Sequence, residues 1–91
     1  MGEARYRPAS GTHFAAMEDG TGVVLDLESK SYLHLNASGT LLWQTLKDGG
    51  TLEELAHVLA DRYALDMEPA LRDAQHWVDE LVSRKVIVCD D

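Results

Sequence analysis

Two runs of the chain, 23–27 and 33–35, place apolar residues at every second position, whereas beyond residue 41 they recur every three or four. The first spacing is that of strands with one buried face, and the second is that of amphipathic helices. HFAAM at 13–17 reads as a short strand, and EDGTG at 18–22 supplies the glycines that a tight turn needs for positive φ. GVVLDLE then sets Val23, Leu25 and Leu27 on one face and Val24 and Asp26 on the other. After the polar turn Glu28-Ser29-Lys30, a third strand sets Leu33 and Leu35 against Tyr32 and His34. The two leucine-bearing sides are expected to coincide and face a helical layer, since an exposed leucine sheet invites aggregation. Residues 1–11 show no periodicity and suit a flexible arm or a loosely attached first strand, leaving 12–91 as a single domain.

Asn36 has the chemistry of an N-cap, so a helix is expected directly after the third strand, from Ala37 to about Lys47, with Gly49-Gly50 ending it. Leu41, Leu42, Trp43 and Leu46 supply its packing surface, and Gly39 in its first turns would allow a close backbone approach. Thr51 and Glu54 form a capping box for a second helix. Leu52, Leu55, Ala56, Leu59, Ala60 and Tyr63 make its apolar face, leaving Glu53, His57 and Asp61 outside. A third helix is expected from near Asp66 to about Arg84, with Pro69 tolerated in its first turn. Its stripe of Leu71, Ala74, Trp77, Val78, Leu81 and Val82 is wide enough to serve two surfaces, and VIVC at 86–89 adds a short strand before the solvated Asp90-Asp91. The expected fold class is α+β and winged helix-turn-helix-like: an N-terminal three-stranded antiparallel sheet followed by three helices.

Composition narrows the partners. Sixteen acidic residues against eight Lys and Arg give a net charge of −8, which repels polyanions and anionic membranes and disfavours nucleic acid. A single cysteine, Cys89, excludes an internal disulfide and reads as a spectator thiol. The chain shows neither a signal peptide nor a long apolar run, so a cytoplasmic protein without membrane attachment is expected.

Chemistry-bearing patterns are sparse. His13, His34, His57 and His76 stand 21, 23 and 19 residues apart, with no His-x-x-x-His or Cys-x-x-Cys spacing for a metal. Ser38-Gly39 lacks the flanking glycine of a nucleophile elbow, no phosphate or dinucleotide loop occurs, and acidic pairs such as Glu53-Glu54 read as solvated faces. Neither an enzyme nor a cofactor is expected. A winged helix-turn-helix regulator is one remaining reading, although its third helix would bring Glu68, Asp73, Asp79 and Glu80 toward DNA against only Arg72, Arg84 and Lys85. The other is peptide capture: if the third strand is an edge, its main chain can hold an extended peptide whose side chains drop toward the third helix. On pattern alone that edge is equally well read as blunted by Lys30 and by its short length.

Family resemblance adds a further expectation. GVVLDLESKSYLHLNASGTLLWQTL is similar to the PqqD-like pattern of an apolar strand, a polar turn, a Tyr-bearing strand, Leu-Asn, a small pair with Gly and a Trp-bearing helix. TLEELAHVLADRYALD and DAQHWVDELVSRKVI resemble its second half, so the likeness spans about residues 13–88. It implies a non-catalytic recognition element that binds the leader of a ribosomally made precursor peptide and presents it to a leader protease or another modifying enzyme. A discrete chain of this length resembles the subunits of split lasso-peptide systems; a partner in pyrroloquinoline quinone maturation is the alternative. The resemblance carries peptide binding onto Ser31, Tyr32, Leu33, His34 and Leu35, and onto the facing helix at Leu71, Arg72, Asp73, Gln75, Trp77 and Val78. It also leaves the edge open to a second copy of the chain. Lys85 stands where the family often has glycine after the third helix, so the helix end there is expected to differ.

Overall fold

The computed structural model describes residues 4–90, so the first three residues of the expected arm and the terminal Asp91 lie outside the described residues. The elements are β1 (Arg5–Pro8), β2 (Thr12–Ala16), β3 (Gly22–Asp26), β4 (Ser31–Leu35), α1 (Ala37–Thr45), β5 (Gly50–Thr51), α2 (Leu52–Tyr63), α3 (Met67–Ser83) and β6 (Ile87–Asp90). They make two antiparallel three-stranded sheets, ordered β2-β3-β4 and β5-β1-β6. The expected three-stranded sheet is the first of these. The second joins the N-terminal strand, for which the sequence leaves arm or strand open, to the expected strand after α3. Its third member, β5, lies at the Gly-Thr pair that otherwise reads only as the boundary between two helices.

Local chemistry explains the helix starts. The Asn36 side chain accepts a hydrogen bond from the Gly39 amide at 2.8 Å, so β4 passes into α1 with a single residue between them. Thr51 and Glu54 exchange reciprocal bonds of 2.8 and 3.1 Å, completing the capping box of α2. α3 begins at the extended Asp66, whose side chain makes no capping bond.

The inner face of β2-β3-β4 meets the helices. Val24 and Leu35 are buried there with Leu42, Trp43 and Leu46 of the α1 region, while Leu55 and Leu59 of α2 pack on Ala70, Ala74, Val78 and Leu81 of α3. Phe14 stacks on Trp43 with ring centroids 6.3 Å apart, tying β2 to α1. Small side chains at Ala56, Ala70 and Ala74, all fully buried, let α2 and α3 approach closely.

Register overturns one expectation. Val24 pairs with Leu33 and Leu25 with Tyr32, so Leu25 lies on the opposite side of the sheet from Leu33 and Leu35. Leu25 and Leu27 remain 45% and 60% exposed. Each strand's alternation is as the sequence shows it, but the length of the turn decides which residues stand opposite, and a shift of one exchanges the faces. Tyr63, expected on the inner face of α2, is also exposed.

The end of α3 shows what Lys85 does. Its amide donates to the Val82 carbonyl at 2.9 Å, and the Val86 amide donates to the Leu81 carbonyl at 3.2 Å, a Schellman closure. Lys85 therefore takes φ +64°, the left-handed region that glycine enters without steric cost. The turn a glycine would make is retained, with strain. Lys85→Gly is expected to stabilise the fold by up to about 1 kcal/mol, the relief being partly offset by the freer unfolded chain. The check is a urea midpoint that rises while the m-value stays constant.

Candidate functional site

β4 is an edge strand: β3 pairs with one side of it, and no strand pairs with the other among the described residues. Which of its main-chain groups stay open follows from the ladder. Leu27 donates to the Gly11 carbonyl and Met17 to the Thr21 carbonyl. Odd-numbered residues of β3 thus direct their N–H and C=O toward β2, and even-numbered ones toward β4. Opposite them, Ser31, Leu33 and Leu35 use their main chain on β3, leaving the N–H and C=O of Tyr32 and His34 directed at the free edge. Side chains alternate in the other sense: Leu33 and Leu35 turn inward, while Tyr32 and His34 stand on the outer face in an edge-to-face pair with centroids 5.5 Å apart.

Beside this edge runs a groove of about 490 Å³. Leu33, His34 and Leu35 of β4 form one side, Trp77, Glu80 and Leu81 of α3 the other, and Thr21, Asn36 and Gly39 complete the lining. Gly39 is there for clearance: a Cβ at this position would lie 3.2 Å from the Trp77 indole nitrogen and 3.2 Å from the Asn36 carboxamide oxygen. Glycine lets α1 begin directly beneath the indole. A smaller depression of about 80 Å³ opens at the other end of β4, between Ser31, Leu33, Arg84 and Val86. Two recesses therefore flank Leu33, arranged for alternate side chains of an extended segment laid along the edge.

The lining mixes apolar Leu33, Leu35, Trp77 and Leu81 with polar Thr21, His34, Asn36 and Glu80. Glu80 and Arg84 lie one turn apart at 3.4 Å with both side chains about half exposed, an arrangement that contributes little to stability. Among the described residues no cluster of three or more His, Cys, Asp and Glu is placed to hold a metal ion. No helix among them is long and apolar enough to cross a membrane.

Of the residues expected from sequence, Ser31 to Leu35 and Trp77 come together here. The other helix residues do not. Val78 is fully buried in the core, Leu71 borders a separate depression with Tyr6 and Leu52, and Arg72 is exposed beside Glu68 at 3.6 Å. Asp73 is exposed, and Gln75 donates to Asp79 at 2.7 Å on the helix surface. Missing from the sequence-based set are Glu80, Leu81, Thr21, Asn36 and Gly39. The signal for the first two was helical spacing, because 77, 80, 81 and 84 share one face of α3.

The family model described as Coenzyme PQQ synthesis protein D (PqqD) matches residues 21–87. No curated protein sequence matches the chain. Among solved structures, TbiB1 in complex with the TbiA(beta) leader peptide is similar with a TM-score of 0.82 at 22% identity, covering 89% of this chain and 93% of that one. Lasso peptide synthetase B1 complexed with the leader peptide is similar with a TM-score of 0.79 at 28% identity, covering 91% of this chain and 96% of that one.

Proposed function

Because this chain belongs to the PqqD family, we propose that it captures the leader of a ribosomally made precursor peptide as an added strand on β4. It then presents that leader to a leader protease or another modifying enzyme in lasso-peptide biosynthesis. The encounter takes place in the cytoplasm, where the precursor is made, and the chain acts as a binding partner of the catalyst.

One observation carries this reading: the open N–H and C=O groups of His34 border the groove walled by Trp77, and those of Tyr32 the smaller recess on the other side of Leu33. Magnitudes assign the roles. Four main-chain hydrogen bonds contribute a net total of about 2–6 kcal/mol. Micromolar affinity requires about 8 kcal/mol, after the cost of ordering an extended chain. Backbone pairing alone therefore falls short, and side chains seated in the recesses on either side of Leu33 supply the remainder. Selectivity resides there, with Leu33, Leu35, Trp77 and Leu81 as the discriminating surfaces. Two similar structures, each solved with a leader peptide, support the same use of the fold.

The description of the matching family favours a second reading, in which the captured leader belongs to a pyrroloquinoline quinone precursor. Capture would use the same edge, and only the guest would differ. An acidic winged helix-turn-helix regulator is opposed by the net charge of −8.

Isothermal titration calorimetry with synthetic peptides, taken from short open reading frames beside this chain's gene, tests the proposal. One of them is expected to bind one-to-one at micromolar or tighter affinity, and to lose that affinity when proline replaces a ladder-bonding residue of the guest. Affinity indifferent to such prolines would exclude strand addition. Uptake of a pyrroloquinoline quinone precursor leader in preference to the others would select the second reading.

A further inference from the structure

We propose that the guest peptide runs on past Leu35 into a second depression, where Arg62 receives a carboxylate side chain of the guest. This inference rests on the capture reading and adds a chemical requirement to it.

The second depression, about 340 Å³, lies between the β2–β3 hairpin, the exposed side of α1 and the end of α2. It adjoins the groove: Thr21 lines both. A peptide following β4 toward its Leu35 end is thereby led over Thr21 into this space. β4 offers five residues, a track of about 17 Å, so a longer guest must continue somewhere.

Arg62 supplies the charge. Arg5, Arg7, Arg72 and Arg84 each lie within ion-pair distance of a carboxylate on the protein. Arg62 makes no ion pair with any described residue, although acidic groups outnumber basic ones two to one. The carboxylate sharing the depression, Asp19, makes no ion pair with Arg62: its Oδ1 accepts from the Thr21 amide at 3.0 Å and the Thr21 hydroxyl at 2.6 Å. Met17 and Tyr63 flank the space and are 45% and 43% exposed, giving apolar cover for the methylene stem of a guest Glu or Asp.

The test requires no knowledge of the natural guest. A displayed library of random peptides about 15 residues long, ~50 Å when extended, is selected on the unaltered protein and on Arg62→Glu. Circular dichroism confirms that the variant is folded, as expected for a change at an exposed position. On the unaltered protein, enriched peptides are expected to share alternating apolar residues and an Asp or Glu at constant spacing on one flank. On Arg62→Glu the alternation is expected to persist while the acidic flank is lost or replaced by Lys or Arg. A single selected peptide should bind Arg62→Gln about fivefold more weakly, the scale of one exposed ion pair. Alternation without any acidic flank, or an acidic flank equally enriched on Arg62→Glu, would overturn the inference and leave capture standing. Absence of the alternation would overturn capture and the inference together.

Discussion

Proline at position 34 is expected to weaken peptide capture at least severalfold without unfolding the protein, whereas proline at the adjacent position 33 is expected to unfold the edge itself. The contrast follows from the ladder. The His34 amide faces the free edge, so removing it breaks no bond to β3, and an edge strand accommodates proline at such a position. The melting temperature of His34→Pro should fall by no more than about 4 °C, equivalent to less than ~1 kcal/mol. A guest strand, however, would lose one of the four open groups and leave its own carbonyl facing a ring without a donor. That costs about 1–3 kcal/mol, or roughly five- to more than a hundredfold in affinity. Leu33→Pro removes an amide bonded into β3 and an inward leucine packed against the core, so it should lower stability by several times as much. Thermal melts beside calorimetric affinities read both outcomes. Equal binding by His34→Pro and the parent would show that the open edge is not where the guest pairs.

The residues behind this prediction show how far the sequence carries. β4 from Ser31 to Leu35, the Asn36 cap and the Thr51–Glu54 capping box are set by neighbours a few positions away, and the structure has them where the local pattern puts them. The assignment of Leu25 and Leu27 failed for a reason of range. Which residue stands opposite Tyr32 depends on turn length and pairing, and the alternation within one strand is silent on both. β1 and β5 were harder still. Arg5–Pro8 and Gly50–Thr51 are too short for a period, and each becomes a strand only through partners more than forty residues away. In the candidate site, Trp77 entered through the family resemblance, because helical spacing alone leaves it open to the core as well as to a groove. Thr21 and Gly39 were not legible, since their place in the groove's lining follows from the docking of the hairpin and α1 against α3. Lys85 is intermediate: the position after α3 could be singled out, but only the observed φ shows that lysine makes the glycine's turn.

Truncating Trp77 to alanine is expected to weaken peptide capture by more than its effect on folding would suggest. The indole is partly buried, with the core beneath it and the groove before it. Deleting a fully enclosed tryptophan costs about 3–5 kcal/mol, so the loss of stability here should be nearer ~2 kcal/mol. For binding, a central aromatic wall belongs to the class of residues whose truncation costs about 2 kcal/mol or more, equivalent to ~30-fold or greater in affinity. Gly39→Ala provides the complementary test from beneath the ring. Its new methyl group would lie 3.2 Å from both the indole nitrogen and the Asn36 carboxamide oxygen, tight enough that these neighbours at the groove must give by a few tenths of an ångström. Alanine also improves a helical position by up to about 1 kcal/mol, which offsets the strain of these tight contacts, so stability should change little while affinity falls. Affinity then falls in both variants while stability falls in only one, which a generally damaged fold cannot reproduce. Retention of full affinity by Trp77→Ala would move the groove's second wall away from this face of α3, and with it the selectivity assigned to Trp77 and Leu81.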